Sequence, residues 1–127
     1  MARYLVDTNA LVFALENPGR LSAATRAIIE DGSLDVAGSA ASLYEIGNKH
    51  RLGKIALSAE TFWDGVRAMG IALTPVVDRV FVTASSLVWA NRDPFDRIIA
   101  AQAIHDGAKL ISSDAAFDGL GGIERVW

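Results

Sequence analysis

Residues 3–15 read "RYLVDTNALVFAL". An apolar run, Tyr4-Leu5-Val6, stops on a carboxylate, Asp7, and a second apolar run starts at Ala10. The first run has the length of a short buried strand, and 9–15 suits a helix that ends before "ENPG". An ionised carboxylate taken out of water is costly unless it finds a partner. Asp7 therefore either caps the helix, a task Thr8 or Asn9 would do equally well, or serves chemistry at a strand end.

The rest of the chain repeats this alternation. Ser22 caps an expected helix over 23–31, stopped by Gly32, and "LDVAG" (34–38) reads as a second strand. Ser39 opens a helix over 40–51 and Ser58 another over 59–69, with Gly53 and Gly70 as stops. "IALTPV" (71–76) is a third strand, and Asp78 caps a helix over 79–90 whose apolar side is Val80, Phe81, Ala84, Leu87 and Val88. A helix from Pro94 to His105 is ended by Gly107. It is followed by the strand "AKLISS" (108–113) and a short last strand in "IERVW" (123–127). Strands separated by helices imply one α/β domain over 1–127, with a central parallel sheet of four to five short strands and helices on both faces. Such sheets bind ligands beyond the carboxyl ends of their strands, which is where Asp7 falls.

Composition narrows the class. With 127 residues, 51% apolar and 21% charged, the chain can bury a substantial core and is not intrinsically disordered. No apolar run approaches the roughly 20 residues needed to cross a bilayer, and no secretory leader is signalled, so a cytoplasmic protein is expected. The absence of cysteine excludes thiolate metal sites and leaves oxygen and two histidines as ligands. A net charge of −3 argues against a nonspecific nucleic-acid coat. It does not exclude a nucleic-acid substrate, because an acidic pocket turns positive once it holds metal ions.

Four carboxylates stand out. Asp114 ends the strand in "KLISSD" as Asp7 ends the first, although a turn or cap would explain it too. In "NRDPFDRIIAAQA", Asp93 at the N-cap, Pro94 at N1 and Asp96 at N3 form a strong helix start. A helix start explains both aspartates, and of the two Asp93 is the better candidate for the cap and Asp96 for a ligand. Glu45 lies near the edge of its helix, where pairing with Lys49 at i,i+4 is the ordinary expectation. If these groups converge, an oxygen-only set suits Mg²⁺ or Mn²⁺, and such ions activate water and stabilise charge on a phosphoryl group.

Taken together, "LVDTNALVFAL", "SLYEIGNKHRLGKI", "RDPFDRIIAAQA" and "LISSDAAF" resemble the PIN-domain nucleases, and most closely the VapC-type toxins of bacterial toxin–antitoxin pairs. The resemblance spans essentially the whole chain, in order. It implies a PIN-like fold, a metal-dependent endoribonuclease using Mg²⁺ or Mn²⁺, and an acidic site at Asp7, Glu45, Asp96 and Asp114. Its supporting polar positions fall on Asn9 and Ser112, with Asp93 as a cap lending support. It further implies a cognate VapB-like antitoxin as partner, an RNA substrate, and a homodimer or toxin–antitoxin hetero-oligomer. A catalytically silent PIN-like protein-interaction domain is the alternative. A phosphoacceptor receiver-like domain is disfavoured, since Asp7 is followed by Thr8 and Asn9 rather than by a second acid.

Lys49, Arg51 and Lys54 in "NKHRLGK", with Arg92 and Arg97, form a possible phosphate-contacting set, against the plain reading of solvated helix ends. His50 and His105 lack ligand-like spacing. Trp63, Trp89 and Trp127 are expected in packing rather than base stacking, and Asp118 is a weak extra acid.

Overall fold

The computed structural model describes residues 3–127. Five parallel strands, β1 (Arg3–Val6), β2 (Asp35–Ser39), β3 (Ala72–Thr74), β4 (Ala108–Ile111) and β5 (Arg125–Val126), form one sheet in the order β3-β2-β1-β4-β5. Around it lie α1 (Thr8–Glu16), α2 (Ala23–Glu30), α3 (Ala41–Arg51), α4 (Ala59–Ala68), α5 (Asp78–Ser86) and α6 (Pro94–Asp106). Single 3-10 turns cover Pro18–Arg20 and Ala115–Gly119. The expected α/β class, parallel sheet and strand count all hold. No helix among the described residues is long and apolar enough to cross a membrane.

β1 is the central strand, with Leu5 in register with both Ala37 and Leu110. Alternation along it explains the two layers. Leu5 packs with Leu110, Ile99, Ala100, Ala103 and Phe117 on the α6 face. Val6 packs with Ile111, Leu11, Ile46, Phe62 and Val66 on the opposite face, which α1, α3 and α4 cover. Gly38 of β2 lets that layer close, because a Cβ there would lie 2.6 Å from Leu73 and 3.0 Å from Leu11.

Several expected boundaries shift. α1 starts at Thr8 rather than at residue 9, because Asp7 is its N-cap. Asp78 is the first residue of α5, and the cap position belongs to Val77, which offers no side-chain bond. α5 stops at Ser86 instead of 90. The reason is Arg97, whose guanidinium takes the carbonyls of Ala84, Leu87, Trp89 and Asn91, so the chain turns around the cation instead of continuing as helix. The expected apolar side of α5 is correspondingly reduced. Val80 and Ala84 are buried against Ala101 of α6, while Phe81 and Val88 are exposed. Gly107 ends α6 in the left-handed conformation, at φ 63°.

Candidate active site

Asp7 occupies the first position beyond the central strand. Its amide still donates to the Ile111 carbonyl of β4 at 3.0 Å, while its Oδ1 accepts from the Ala10 amide at 2.8 Å. It therefore belongs to the sheet and to the start of α1 at once, so capping and a functional placement are not alternatives. The residue is only 6% exposed. Burial pushes its pKa up to about 6, and the neighbouring charges of Asp96 and Glu45 add to the rise. Hydrogen bonds from the Ser112 hydroxyl and the Ala10 amide pull against it.

Glu45 departs from the expectation of a helix edge and is buried. Its Oε2 accepts from Lys49 Nζ at 3.0 Å, the i,i+4 pair the spacing suggests. Its Oε1 is buried with no partner. One turn earlier Ser42 is also buried, and its hydroxyl meets that of Thr8 at 2.8 Å, tying α3 to the start of α1.

Asp93 is the N-cap of α6, accepting from the amides of Phe95 and Asp96 at 2.8 and 3.1 Å. Asp96 is half-buried in the first turn, and its Oδ2 accepts from Asn91 Nδ2 at 3.0 Å. Its pKa is likewise pushed up to about 6, chiefly by burial, then by Asp93, Glu45 and Asp114, against the Asn91 hydrogen bond. Asp114 is exposed, three residues beyond β4, where its Oδ1 accepts from the Ala116 amide at 2.9 Å. Its own amide donates to the buried Ser112 hydroxyl at 3.0 Å.

The four carboxylates thus share one electrostatic neighbourhood at the carboxyl edge of the sheet. They do not form a closed ligand set. No group of three or more His, Cys, Asp or Glu among the described residues stands ready to hold a metal ion. Three of the side chains are instead drawn to separate partners, Glu45 to Lys49, Asp96 to Asn91 and Asp114 to Ala116. The donor chemistry nevertheless suits a hard divalent cation. The oxygens are carboxylate, two of the acids resist ionisation where they sit, and Glu45 Oε1 is an orphaned buried acceptor.

Other expected residues lie outside this neighbourhood or are otherwise engaged. Asn9 is exposed in a groove it shares with Val12, Ile46, Lys49 and Ile55. Asp118 is held by both Nε and Nη2 of Arg125, each at 2.9 Å. Lys49 is paired with Glu45, and Arg51 donates to Asn48, whereas Lys54 and Arg92 are exposed. Arg97 is a correction to the expected phosphate contacts, since all its guanidinium nitrogens face backbone carbonyls of the last turn of α5 and the segment after it. His50 lies against the Ile55 carbonyl and His105 beside Asp106.

Three contributors escape a reading of the sequence. Asn91 holds Asp96, Ser42 with Thr8 holds α3 near Asp7, and Arg125 donates to the Ser112 carbonyl at 3.2 Å. Only Asn91 had a local signal, lying two residues ahead of the "DPFD" helix start, where its Oδ1 also accepts from the Asp93 amide.

A parallel 3-2-1-4-5 sheet with acids gathered past its central strands defines an α/β domain with an acidic candidate site. The PIN domain family model matches residues 4–123, and the chain belongs to that family. Among solved structures, the DNA-bound VapBC of Salmonella typhimurium is similar with a TM-score of 0.74 at 17% identity, covering 99% of this chain and 98% of that one. VapBC2 of Rickettsia felis bound to a promoter DNA fragment gives 0.71 at 17% identity, covering 98% of each chain. FitAcB of Neisseria gonorrhoeae gives 0.59 at 18%, covering 98% and 96%. At these identities the likeness establishes the fold. No curated protein matches the chain significantly.

Proposed function

We propose that this PIN domain is a Mg²⁺- or Mn²⁺-dependent endoribonuclease acting in the cytoplasm as the toxin of a toxin–antitoxin pair. The observation that carries the reading is Asp7, a buried carboxylate at the end of the central strand, destabilised as an anion by its burial and by Asp96 and Glu45. A cation bound among these oxygens relieves that cost.

Asp7, Asp96 and Asp114 would hold the ion, with Glu45 as a further ligand or as a group that orients water. When bound, the ion supplies an activated water and offsets charge building on the phosphodiester. The chain's own residues do the rest. Ser112 orients both Asp7 and the turn carrying Asp114, and Asn91 orients Asp96. Lys49 balances Glu45. Lys54, Arg51 and Arg92, all exposed, contact phosphates of the RNA.

The VapBC and FitAcB neighbours, with the resemblance to VapC-type toxins, support a cognate antitoxin as partner here. Exposed Tyr44, Phe81 and Val82 support burial of apolar surface in a homodimer or hetero-oligomer. A binding-only PIN domain is the second reading, favoured by the open arrangement of the carboxylates.

RNA cleavage by antitoxin-free protein with Mg²⁺ or Mn²⁺ tests the proposal, beside EDTA and the folded Asp7→Asn and Asp96→Asn variants. Metal-dependent cutting lost in both variants supports it. Cutting that survives both variants, or no cutting of any RNA, overturns it.

A further inference from the structure

An open, polar cleft of about 600 Å³, lined by Ser85, Trp89, Ala90, Asn91, Arg92 and Arg97, adjoins the acidic site through Asn91. Its volume is within the range of pockets for small ligands, roughly 300–1,000 Å³. Asn91 is both its wall and the donor to Asp96, so the cleft opens directly beside a proposed metal-holding carboxylate.

The walls are built rigidly. Arg97 clamps four carbonyls of the 84–91 backbone, and Asn91 Oδ1 ties the same segment to Asp93. Trp89 is held by a hydrogen bond from Nε1 to the Ala116 carbonyl at 3.2 Å and by the Phe117 ring at 5.3 Å. Arg92 is the exception. It is exposed on the cleft wall and is engaged by no ion pair or side-chain hydrogen bond among the described residues. Trp89 is half-buried and packs against the Leu5–Leu110 layer, and the part of its indole that lines the cleft lies beside the unpaired guanidinium of Arg92, a pairing suited to a nucleobase and its phosphate.

We infer that this cleft between α5 and α6 is the subsite for the nucleotide of single-stranded RNA that adjoins the scissile phosphate, with the base against Trp89 and the phosphate on Arg92. The inference rests on the ribonuclease reading and deepens it.

Binding of a short single-stranded RNA to the Asp7→Asn protein in EDTA, measured across a salt series, tests the subsite without turnover. Arg92→Ala should weaken binding about fivefold to tenfold and lower the slope of log K against log salt by about 0.7, one phosphate contact. Trp89→Leu should weaken it by at least about fivefold, with Trp89→Phe restoring much of the loss. Arg26→Ala, on α2 and paired with Glu30, is the control for loss of any surface cation. RNA bound equally by the Arg92→Ala and Trp89→Leu proteins, while the parent still cuts RNA, overturns the subsite alone. A parent that neither binds nor cuts RNA overturns the ribonuclease reading and the subsite with it.

Discussion

The ends of β1 and β4 look alike in sequence, each an apolar strand running into an aspartate and a helical turn, yet they carry different acids. Asp7 comes directly after its strand, keeps a sheet hydrogen bond to Ile111 and is buried between the two helical layers. Asp114 lies three residues past Ile111, beyond the last ladder bond, and is exposed. Each caps the helical turn next to it, Asp7 through the Ala10 amide and Asp114 through that of Ala116. The difference is therefore one of depth. A carboxylate on the central strand is placed by the sheet, whereas one on a loop is placed by its own turn. Depth also decides which acid is costly to ionise, and hence which gains most from a cation.

The largest expected effect separates the two acids by activity. Asp7→Asn should reduce metal-dependent RNA cleavage on the order of a thousandfold or more, the scale of losing a group aimed at developing charge. Asp114→Asn, the loss of a ligand on an exposed turn, should cost less, roughly a hundredfold. Equal losses in initial rates would break the distinction.

Stability against pH gives the next effect. Asp7 has a native pKa of about 6 against 3.8 for the unbound carboxyl. Between those values the folded chain keeps a proton that the unfolded chain has released, so stability falls as pH rises through the window. Above it the full cost, about 3 kcal/mol, is present. Urea unfolding in EDTA should therefore show Asp7→Asn more stable than the parent at pH 7.5 and level with it near pH 4. Asparagine keeps the helix cap, which isolates the charge. A slope of the same sign remains from Asp96, whose pKa is also pushed up to about 6. Added Mn²⁺ should stabilise the parent more than the variant.

Ser112 serves both strand ends, since its hydroxyl accepts from the Asp114 amide and lowers the pKa of Asp7. Ser112→Ala should cost about 1–3 kcal/mol in the same unfolding experiment. It should also raise the Asp7 pKa further, moving the pH window upward. A variant that loses stability with no movement of that window would leave Ser112 as a support of the Asp114 turn alone.

The smallest effect is expected at Asp118. Asp118 itself is solvent-exposed in its pair with Arg125, so Asp118→Asn should leave both stability and cleavage essentially unchanged. A loss of activity there would move the acidic site toward the β4 side.

Local signals carried much of this molecule. The strand at residues 3–6, the Ser22 and Ser58 caps, the Asp93-Pro94 helix start and the Gly107 stop depend on neighbours within a few positions, and all are found in the structure. The alternation of strand and helix was enough to imply a parallel sheet, and the spacing within α3 was enough to pair Glu45 with Lys49. The tertiary structure alone decided the depth of each group. Glu45 is buried because α3 packs against α1 through Ser42 and Thr8, residues 34 positions apart. α5 ends early because Arg97, ten residues beyond Leu87, captures its trailing carbonyls. Asn91 acquires a task only when the turn that Arg97 holds brings it to Asp96. Caps and periodicities are short-range properties of the chain, whereas burial, and the pKa values it produces, depend on which distant segments fill the space around a side chain.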